Sequence, residues 1–416
     1  MRSFSFLLIY GSFAKIEIMI RVVDVIATGV REVIKEERSL DQVTSFWLKQ
    51  NKGWSKEEKG FFAETLAEVI RWWRLLNELK FANEINYGSE YHSAVINYIA
   101  LNYDSSVAHG IITSGLQKKI KAAYNNLNTT NAIKESIPDW LQELGSKELG
   151  ENWGVEIQAL NKAPEIILRV NNLKSNRDEL LNWFKREKFN AEPMDLPDAI
   201  RIIERTNIYR SEAFTLGMFE QQDHSSQMVA PFLDVTPGMR VIDACAGNGG
   251  KTLHLASIMA NKGRIIAMDT AEWKLTELRH RARRAGASIV EAKVIESSKT
   301  IKRLKDSADR LLLDVPCSGL GVLRRNPDSK WKLTPERINE LRRIQEDILN
   351  RYWIMVKPKG KMVYATCSIL PSENELQVKR FIEKYNGQFV LEEEQKISTA
   401  QSGFDGFYMA RIRREF

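Results

Sequence analysis

Residues 240–259 read RVIDACAGNGGKTLHLASIM, and their reading decides the fold. Arg240 to Ala244 is strand-like, and Thr252 to Met259 reads as a helix. Gly247, Gly249 and Gly250 lie between them, at a turn where the backbone can approach a ligand closely. The alternation continues downstream. Arg264 to Met268 is a second strand, closed by Asp269, and Ala271 to Ala285 is helical. Arg310 to Leu313 is a buried strand closed by Asp314. Thr334 caps a long helix with Pro335 at its first position, where a missing N–H costs nothing. Lys361 to Ala365 and Phe407 to Arg413 complete the set. Strands alternating with helices predict an α/β, doubly wound sheet over residues 231–416. In such sheets ligands sit outside the carboxyl ends of the strands.

Upstream, the pattern changes twice. Residues 19–135 read as all helix. Val22, Ile26, Val30 and Val33 share one helical face, Ser55 and Glu58 form a capping box, and Phe62, Leu66, Val69, Trp73 and Leu76 make a buried stripe flanked by Arg71 and Arg74. Lys118, Lys119 and Lys121 form a basic cluster whose default is a solvated face. Residues 136–230 read as a small α+β module, with strands at Glu165–Val170 and Ala199–Ile203 and a helix capped by Ser175. Residues 1–18, with an apolar run from Phe4 to Tyr10, read as a frayed or mis-started N-terminus, translation beginning at Met1 or at Met19.

Composition removes whole classes of function. The 416 residues are 43% hydrophobic and 28% charged, the balance of a folded globular protein rather than a disordered or coiled-coil chain. No apolar run approaches the roughly 20 residues that a membrane helix needs. Three cysteines make no disulfide framework, so a reducing, cytoplasmic setting is expected. The net charge of +7 is uneven: +2 over 1–135, −5 over 136–230 and +10 over 231–416. A polyanion partner would meet mainly the last third.

The glycine turn is not a phosphate cradle. A P-loop needs glycine five residues before Gly250, where Cys245 stands, and a dinucleotide fingerprint needs glycine or alanine at Thr252. A nucleoside cofactor without a pyrophosphate remains. Asp269, 26 residues after Asp243, is placed to accept both ribose hydroxyls, and the pair of features favours S-adenosylmethionine. Two further motifs, LDVPCSG (313–319) and YATCS (364–368) followed by PSEN (371–374), each set a cysteine just past a hydrophobic strand. Buried packing is the ordinary fate of one such cysteine. His254 and His280 are not spaced with a cysteine as zinc ligands, so no metal is expected.

Two thiols beside a methyl donor suggest one chemistry. Position 5 of a pyrimidine is a poor nucleophile until a thiolate adds to position 6; a base then removes the C5 proton and the thiolate leaves. A free thiol is only a few per cent ionised at neutral pH, so the site should supply positive charge, with Lys251 the nearest candidate. Asp314 would steady the N3 edge of the ring. Chemistry alone does not choose between Cys317 and Cys367 as nucleophile.

The combined pattern DACAGNGGKT (243–252), LLDVPCSGLGVLRRNPDSKW (312–331) and YATCSILPSENE (364–375) resembles the RNA cytosine-5 methyltransferases of the Sun/Fmu (RsmB-type) family, as does GMFEQQDHSSQ (217–227). The resemblance implies a Rossmann-like S-adenosylmethionine-dependent methyltransferase domain, preceded by an RRM-like module and a NusB-like RNA-binding domain. It implies Cys367 as nucleophile, Cys317 as its assistant in product release, and Asp314 and Lys251 at the base. It implies a cofactor held by Asp243, Ala244, Cys245, Ala246, Gly247, Asn248, Gly249, Gly250, Lys251, Asp269, Glu296 and Asp314. Cys245 belongs to the motif and reads as packing. The family usually has proline at Asn248 and aspartate at Glu296.

Arg324 and Arg325 are candidates to clamp substrate phosphates, whereas Arg279, Arg281, Arg283 and Arg284 read as a solvated helix face. The expected substrate is structured RNA with an unpaired cytosine, since base flipping costs least there. Resemblance favours small-subunit ribosomal RNA over transfer RNA. A non-catalytic RNA-binding protein and a DNA methyltransferase are the rival readings. A monomer is expected.

Overall fold

The computed structural model describes residues 13–83, 88–104, 108, 111–204 and 206–416. The run Phe4–Tyr10 lies outside the described residues, and the first helix, Phe13–Ile34, begins ahead of Met19. The chain divides into two compact units. One holds the residues up to Lys147 together with Asn326–Leu333; the other holds Glu148–Arg325 and Thr334–Phe416.

The first unit is helical. Val22, Ile26, Val30 and Val33 are buried in its core, and the Ser55–Glu58 capping box opens the helix Lys56–Arg71. That helix stops at Trp72, so the predicted stripe is split between two helices. Trp73 starts the next helix, Trp73–Asn83, and stacks on Tyr91 with centroids 5.5 Å apart. Arg71 is buried against Glu68 rather than lying on a flank, and Arg74 pairs with Asp139 at 2.8 Å. Lys118, Lys119 and Lys121 are exposed. Asn326–Leu333, which the sequence assigns to the C-terminal domain, packs with these helices. Trp331 Nε1 donates to the Ile70 carbonyl at 2.7 Å, and the Leu40 amide donates to Asp328 at 3.2 Å.

The second unit carries two sheets. The smaller is antiparallel, ordered β2-β3-β1-β4, from β1 (Ile166–Val170), β2 (Ala191–Pro193), β3 (Ala199–Ile202) and β4 (Phe219–Gln221). Its helix, Arg177–Arg186, is capped by Asn176 rather than Ser175, because Asn176 and Glu179 close a reciprocal capping box.

The larger sheet has seven strands: β5 (Arg240–Asp243), β6 (Arg264–Asp269), β7 (Val290–Val294), β8 (Ala308–Asp314), β9 (Val356–Thr366), β10 (Phe389–Ile397) and β11 (Phe407–Arg414). They are ordered β10-β11-β9-β8-β5-β6-β7, parallel from β9 through β7, with β11 antiparallel to both its neighbours. Alternation along each strand feeds two cores. Ile242, Leu311, Leu313, Met362 and Tyr364 face one, with the helices Pro335–Tyr352 and Glu375–Lys384. Val241, Ile265, Leu312, Val363 and Ala365 face the other, with the helices His224–Phe232 and Gly250–Ile258. Strand order reverses between β5 and β8, and the crevice at that switch point is where doubly wound sheets bind ligands.

Candidate active site

The glycine turn leaves β5 at Asp243 and enters the helix Gly250–Ile258. Gly249 has φ +86°, and a Cβ there would sit 2.7 Å from Leu278 Cγ, so glycine is required on both counts. Asp269, at the end of β6, accepts from the Gly247 amide at 3.0 Å through one oxygen and from the Ala271 amide at 2.9 Å through the other. It thereby fixes both the turn and the start of the helix Glu272–Ala285. Asp243 is buried. One of its oxygens accepts from Thr252 Oγ1 at 2.7 Å, and the other, Oδ1, has no side-chain partner among the described residues. Burial pushes its carboxyl up to about 7. Two arginines brace the turn through its carbonyls: Arg169 of β1 donates to Gly250 O at 2.8 Å, and Arg281 to Asn248 O at 2.7 Å.

Ala244, Ala246, Gly247, Asn248 and Gly250 thus all lie on this one turn, with the Asn248 side chain exposed. Cys245 packs against the sheet-face core, and burial keeps its thiol protonated by pushing its pKa far up. Glu296 lies two residues past β7, exposed, on the same carboxyl edge as Asp269, whose register partner is Val294.

Lys251 joins this turn to the next two strand ends. Its Nζ is 2.6 Å from Asp314 Oδ2, at the end of β8, and 5.0 Å from the centroid of the Phe407 ring. Burial opposes its charge, but the Asp314 carboxylate outweighs that, and the ammonium is held more firmly than usual, with Cys367 adding to the effect.

The β8 and β9 strands are adjacent and parallel, with Asp314 opposite Ala365. The chain leaving each delivers a cysteine, and Cys317 Sγ and Cys367 Sγ are 3.4 Å apart. Both residues are half-buried. Its hydrogen bond to Cys367, then burial, then the charges of Cys367 and Glu373 push the Cys317 thiol well up. Behind the sulfurs, Glu373 is fully buried. Its carboxylate accepts from Ser318 Oγ and Ser368 Oγ at 2.5 Å each, and from the Ser318 amide and Gln345 Nε2 at 2.9 Å each. Gly321 admits the second approach: its amide donates to Cys367 O at 3.0 Å, and a Cβ on it would fall 2.1 Å from Gly406 O.

The structure therefore brings Asp243, Lys251, Asp269, Asp314, Cys317 and Cys367 to one edge. It does not bring Arg324 and Arg325 to a surface that could clamp phosphates. Arg324 is buried and donates to Gly403 O and Ala163 O. Arg325 is held by Asp405 at 2.6 Å and Asp223 at 2.7 Å. Both guanidinium groups are committed to tying residues 163–165, 223 and 403–405 together. Arg281 and Arg284, read as solvated, instead share the buried Glu220. Sequence reasoning also passed over Glu373, although two Cys-Ser steps and the nearby acid of PSEN carried the signal. No cluster of metal-ligating side chains occurs among the described residues, and no described helix is long and apolar enough to cross a membrane.

The parallel sheet with one inserted antiparallel strand, a glycine turn after its first strand and acids on the neighbouring strand ends define a Rossmann-like methyltransferase fold. A methyltransferase homolog protein from Pyrococcus horikoshii superposes with a TM-score of 0.61 at 26% identity, covering 68% of this chain and 97% of that one. The crystal structure of PH0851 superposes with a TM-score of 0.78 at 24% identity, over 98% of this chain and all of that one. The model of the 16S rRNA methyltransferase RsmB/F family matches residues 230–413, and that of the RsmF/B-like ferredoxin-like domain matches 137–209. The ribosomal RNA small subunit methyltransferase B of Photorhabdus laumondii is 33% identical over 334 residues, 78% of each chain. The chain belongs to the RsmB/F methyltransferase family. Its matches to several other curated relatives span 57% to 66% of their own lengths.

Proposed function

We propose that this protein is an S-adenosylmethionine-dependent methyltransferase that makes 5-methylcytosine in small-subunit ribosomal RNA. The observation that carries the reading is the pair of sulfurs 3.4 Å apart at the ends of adjacent strands, beside the Lys251–Asp314 ion pair. The residues suit the cofactor. Asp243 Oδ1, with no side-chain partner among the described residues, suits an ammonium, Asp269 keeps spare lone pairs for ribose hydroxyls, and Glu296 lies along the same edge for the adenine end. When bound, the cofactor supplies an electrophilic methyl group on a sulfonium.

Cys367 adds its sulfur to C6 of the flipped cytosine, which makes C5 nucleophilic. Lys251 donates to Asp314, so a proton shared along that contact reaches the N3 edge of the ring. Once C5 carries the methyl group, a base takes the C5 proton, its electron pair restores the C5–C6 double bond, N3 returns its proton along the same contact, and Cys367 leaves as a thiolate. Cys317 donates its S–H to that departing sulfur. The net charge of +10 over 231–416 favours a polyanionic substrate.

The test is transfer of a labelled methyl group to RNA from a deletion strain, with bisulfite sequencing to locate the product. A single protected cytosine in small-subunit ribosomal RNA is expected. Label confined to transfer RNA would move the substrate, ribonuclease-resistant label would make it DNA, and no incorporation into any RNA would leave a binding protein.

A further inference from the structure

We infer that Glu373 is a positioning residue that clamps the two cysteine loops so that their sulfurs meet, with its buried carboxylate set behind Cys317. This rests on the cytosine-5 reading for its consequence, though not for its geometry. Each cysteine is followed by a serine, and the serine pair repeats the cysteine pair: Ser318 Oγ and Ser368 Oγ are 3.2 Å apart. Both hydroxyls donate to the same oxygen, Glu373 Oε2, at 2.5 Å. The other oxygen takes the Ser318 amide and Gln345 Nε2, and Gln345 Nε2 also donates to Pro316 O at 2.9 Å, one residue before Cys317. The Cys317 loop is therefore held at both its neighbours, and the Cys367 loop at Ser368, by one carboxylate.

A second set of contacts anchors the clamp. Tyr364 OH donates to Glu373 O at 2.6 Å, Asn374 Nδ2 donates to Ser368 O at 2.9 Å, and Gln377 Nε2 donates to Gln345 Oε1 at 3.3 Å. No ion pair neutralises Glu373 among the described residues; neutral donors alone satisfy it. A buried anion so placed disfavours a second negative charge on the loop it grips, and, after the contact with Cys367 and burial, it adds to the upward push on the Cys317 thiol. The Lys251 ammonium interacts instead with Cys367. The two sulfurs, alike in covalent chemistry, are thus placed in unlike surroundings: Cys317 has the buried Glu373 carboxylate behind its loop, whereas the Lys251 ammonium interacts with Cys367. Chemistry alone could not make that division from the sequence.

The experiment is alkylation of the full chain by iodoacetamide across a pH series, without RNA. Tryptic peptides Leu311–Arg324 and Met362–Lys379 report the two cysteines separately. Cys317 is expected to react only at raised pH. In Glu373→Gln, the Cys317 midpoint should fall by about one pH unit, the effect of removing a nearby like charge, and its alkylation at neutral pH should rise about tenfold. S-Adenosylmethionine affinity should not change, since the Glu373 carboxylate bonds to Ser318, Ser368 and Gln345 and to none of the glycine-turn residues. A profile that superposes on the wild type in a cofactor-binding variant overturns the inference, because a merely structural carboxylate would leave it unmoved. Should Glu373→Gln lose cofactor binding, Ser318→Ala releases one arm of the clamp alone. A shifted Cys317 midpoint there supports the role, and an unshifted one overturns it. A wild-type protein that methylates no RNA yet shows this Glu373-dependent profile supports the positioning role and overturns the cytosine-5 reading alone.

Discussion

The carboxyl end of β5 and the carboxyl ends of β8 and β9 each present a cysteine within three residues of a strand, yet they are built differently. At β5 the backbone dominates: a glycine turn shaped by positive φ angles, braced through its amides by Asp269 and through its carbonyls by Arg169 and Arg281. Cys245 there is a packed thiol with three carboxylates, Asp243, Asp314 and Asp269, acting against its ionisation. At β8 and β9 side chains dominate: two sulfurs in contact, an ammonium nearby and a buried carboxylate behind. The difference teaches that a cysteine at a strand end is given its chemistry by the charges around it. Position in the sheet only makes that chemistry accessible.

Substitutions at the three cysteines should break the symmetry most sharply. Cys367→Ala should lower methyl transfer about a thousandfold or more, as loss of a covalent nucleophile does, with cofactor affinity unchanged. Cys245→Ala should leave turnover within about twofold, the packing reading requiring no more. Turnover that survives the first change, or is abolished by the second, would reverse the comparison. Cys317→Ala should instead accumulate a covalent protein–RNA adduct, seen as a slow band in a denaturing gel, because the departing sulfur loses its donor.

The backbone-built side should respond in binding rather than in chemistry. Asp269→Ala should weaken S-adenosylmethionine binding about tenfold or more by calorimetry, since it removes both the proposed ribose acceptor and the restraint on the Gly247 amide. Smaller is the expected pH effect at Asp243. Its folded carboxyl is raised to about 7, so the folded state binds an extra proton between the unfolded value near 4 and 7. That contribution to stability is present at low pH and is lost as pH rises to 7. Over the same rise the carboxylate forms and should strengthen its hold on an ammonium. Cofactor affinity should therefore increase through pH 7 in the wild type, and the increase should vanish in Asp243→Asn.

What could be read from the sequence follows from burial. Strands β5, β6, β8 and the end of β9 from Met362 are enclosed on both faces, so they read as near-continuous apolar runs closed by Asp243, Asp269, Asp314 and Thr366. The edge strands β7 and β10, VEAKV and FVLEEEQKI, carry charges that protect an edge and that hide the strand pattern. The stripe through Trp73 kept its spacing across a break at Trp72, which periodicity does not register. Arg324 and Arg325 looked like phosphate ligands because their partners, the Ala163 and Gly403 carbonyls for the first and Asp223 and Asp405 for the second, are distant in sequence. Glu373 was in view beside the second Cys-Ser step, but its bond to Ser318 crosses 55 residues and only the fold reveals it.

The central claim concerns which sulfur bonds to the base. RNA containing 5-fluorocytidine at the target, incubated with the protein and S-adenosylmethionine, blocks release because fluorine replaces the C5 proton. Mass spectrometry of the trapped complex should place the nucleotide on Cys367 within the peptide Met362–Lys379. A nucleotide on Cys317 within Leu311–Arg324, or no covalent complex with an RNA that is otherwise methylated, would contradict the account.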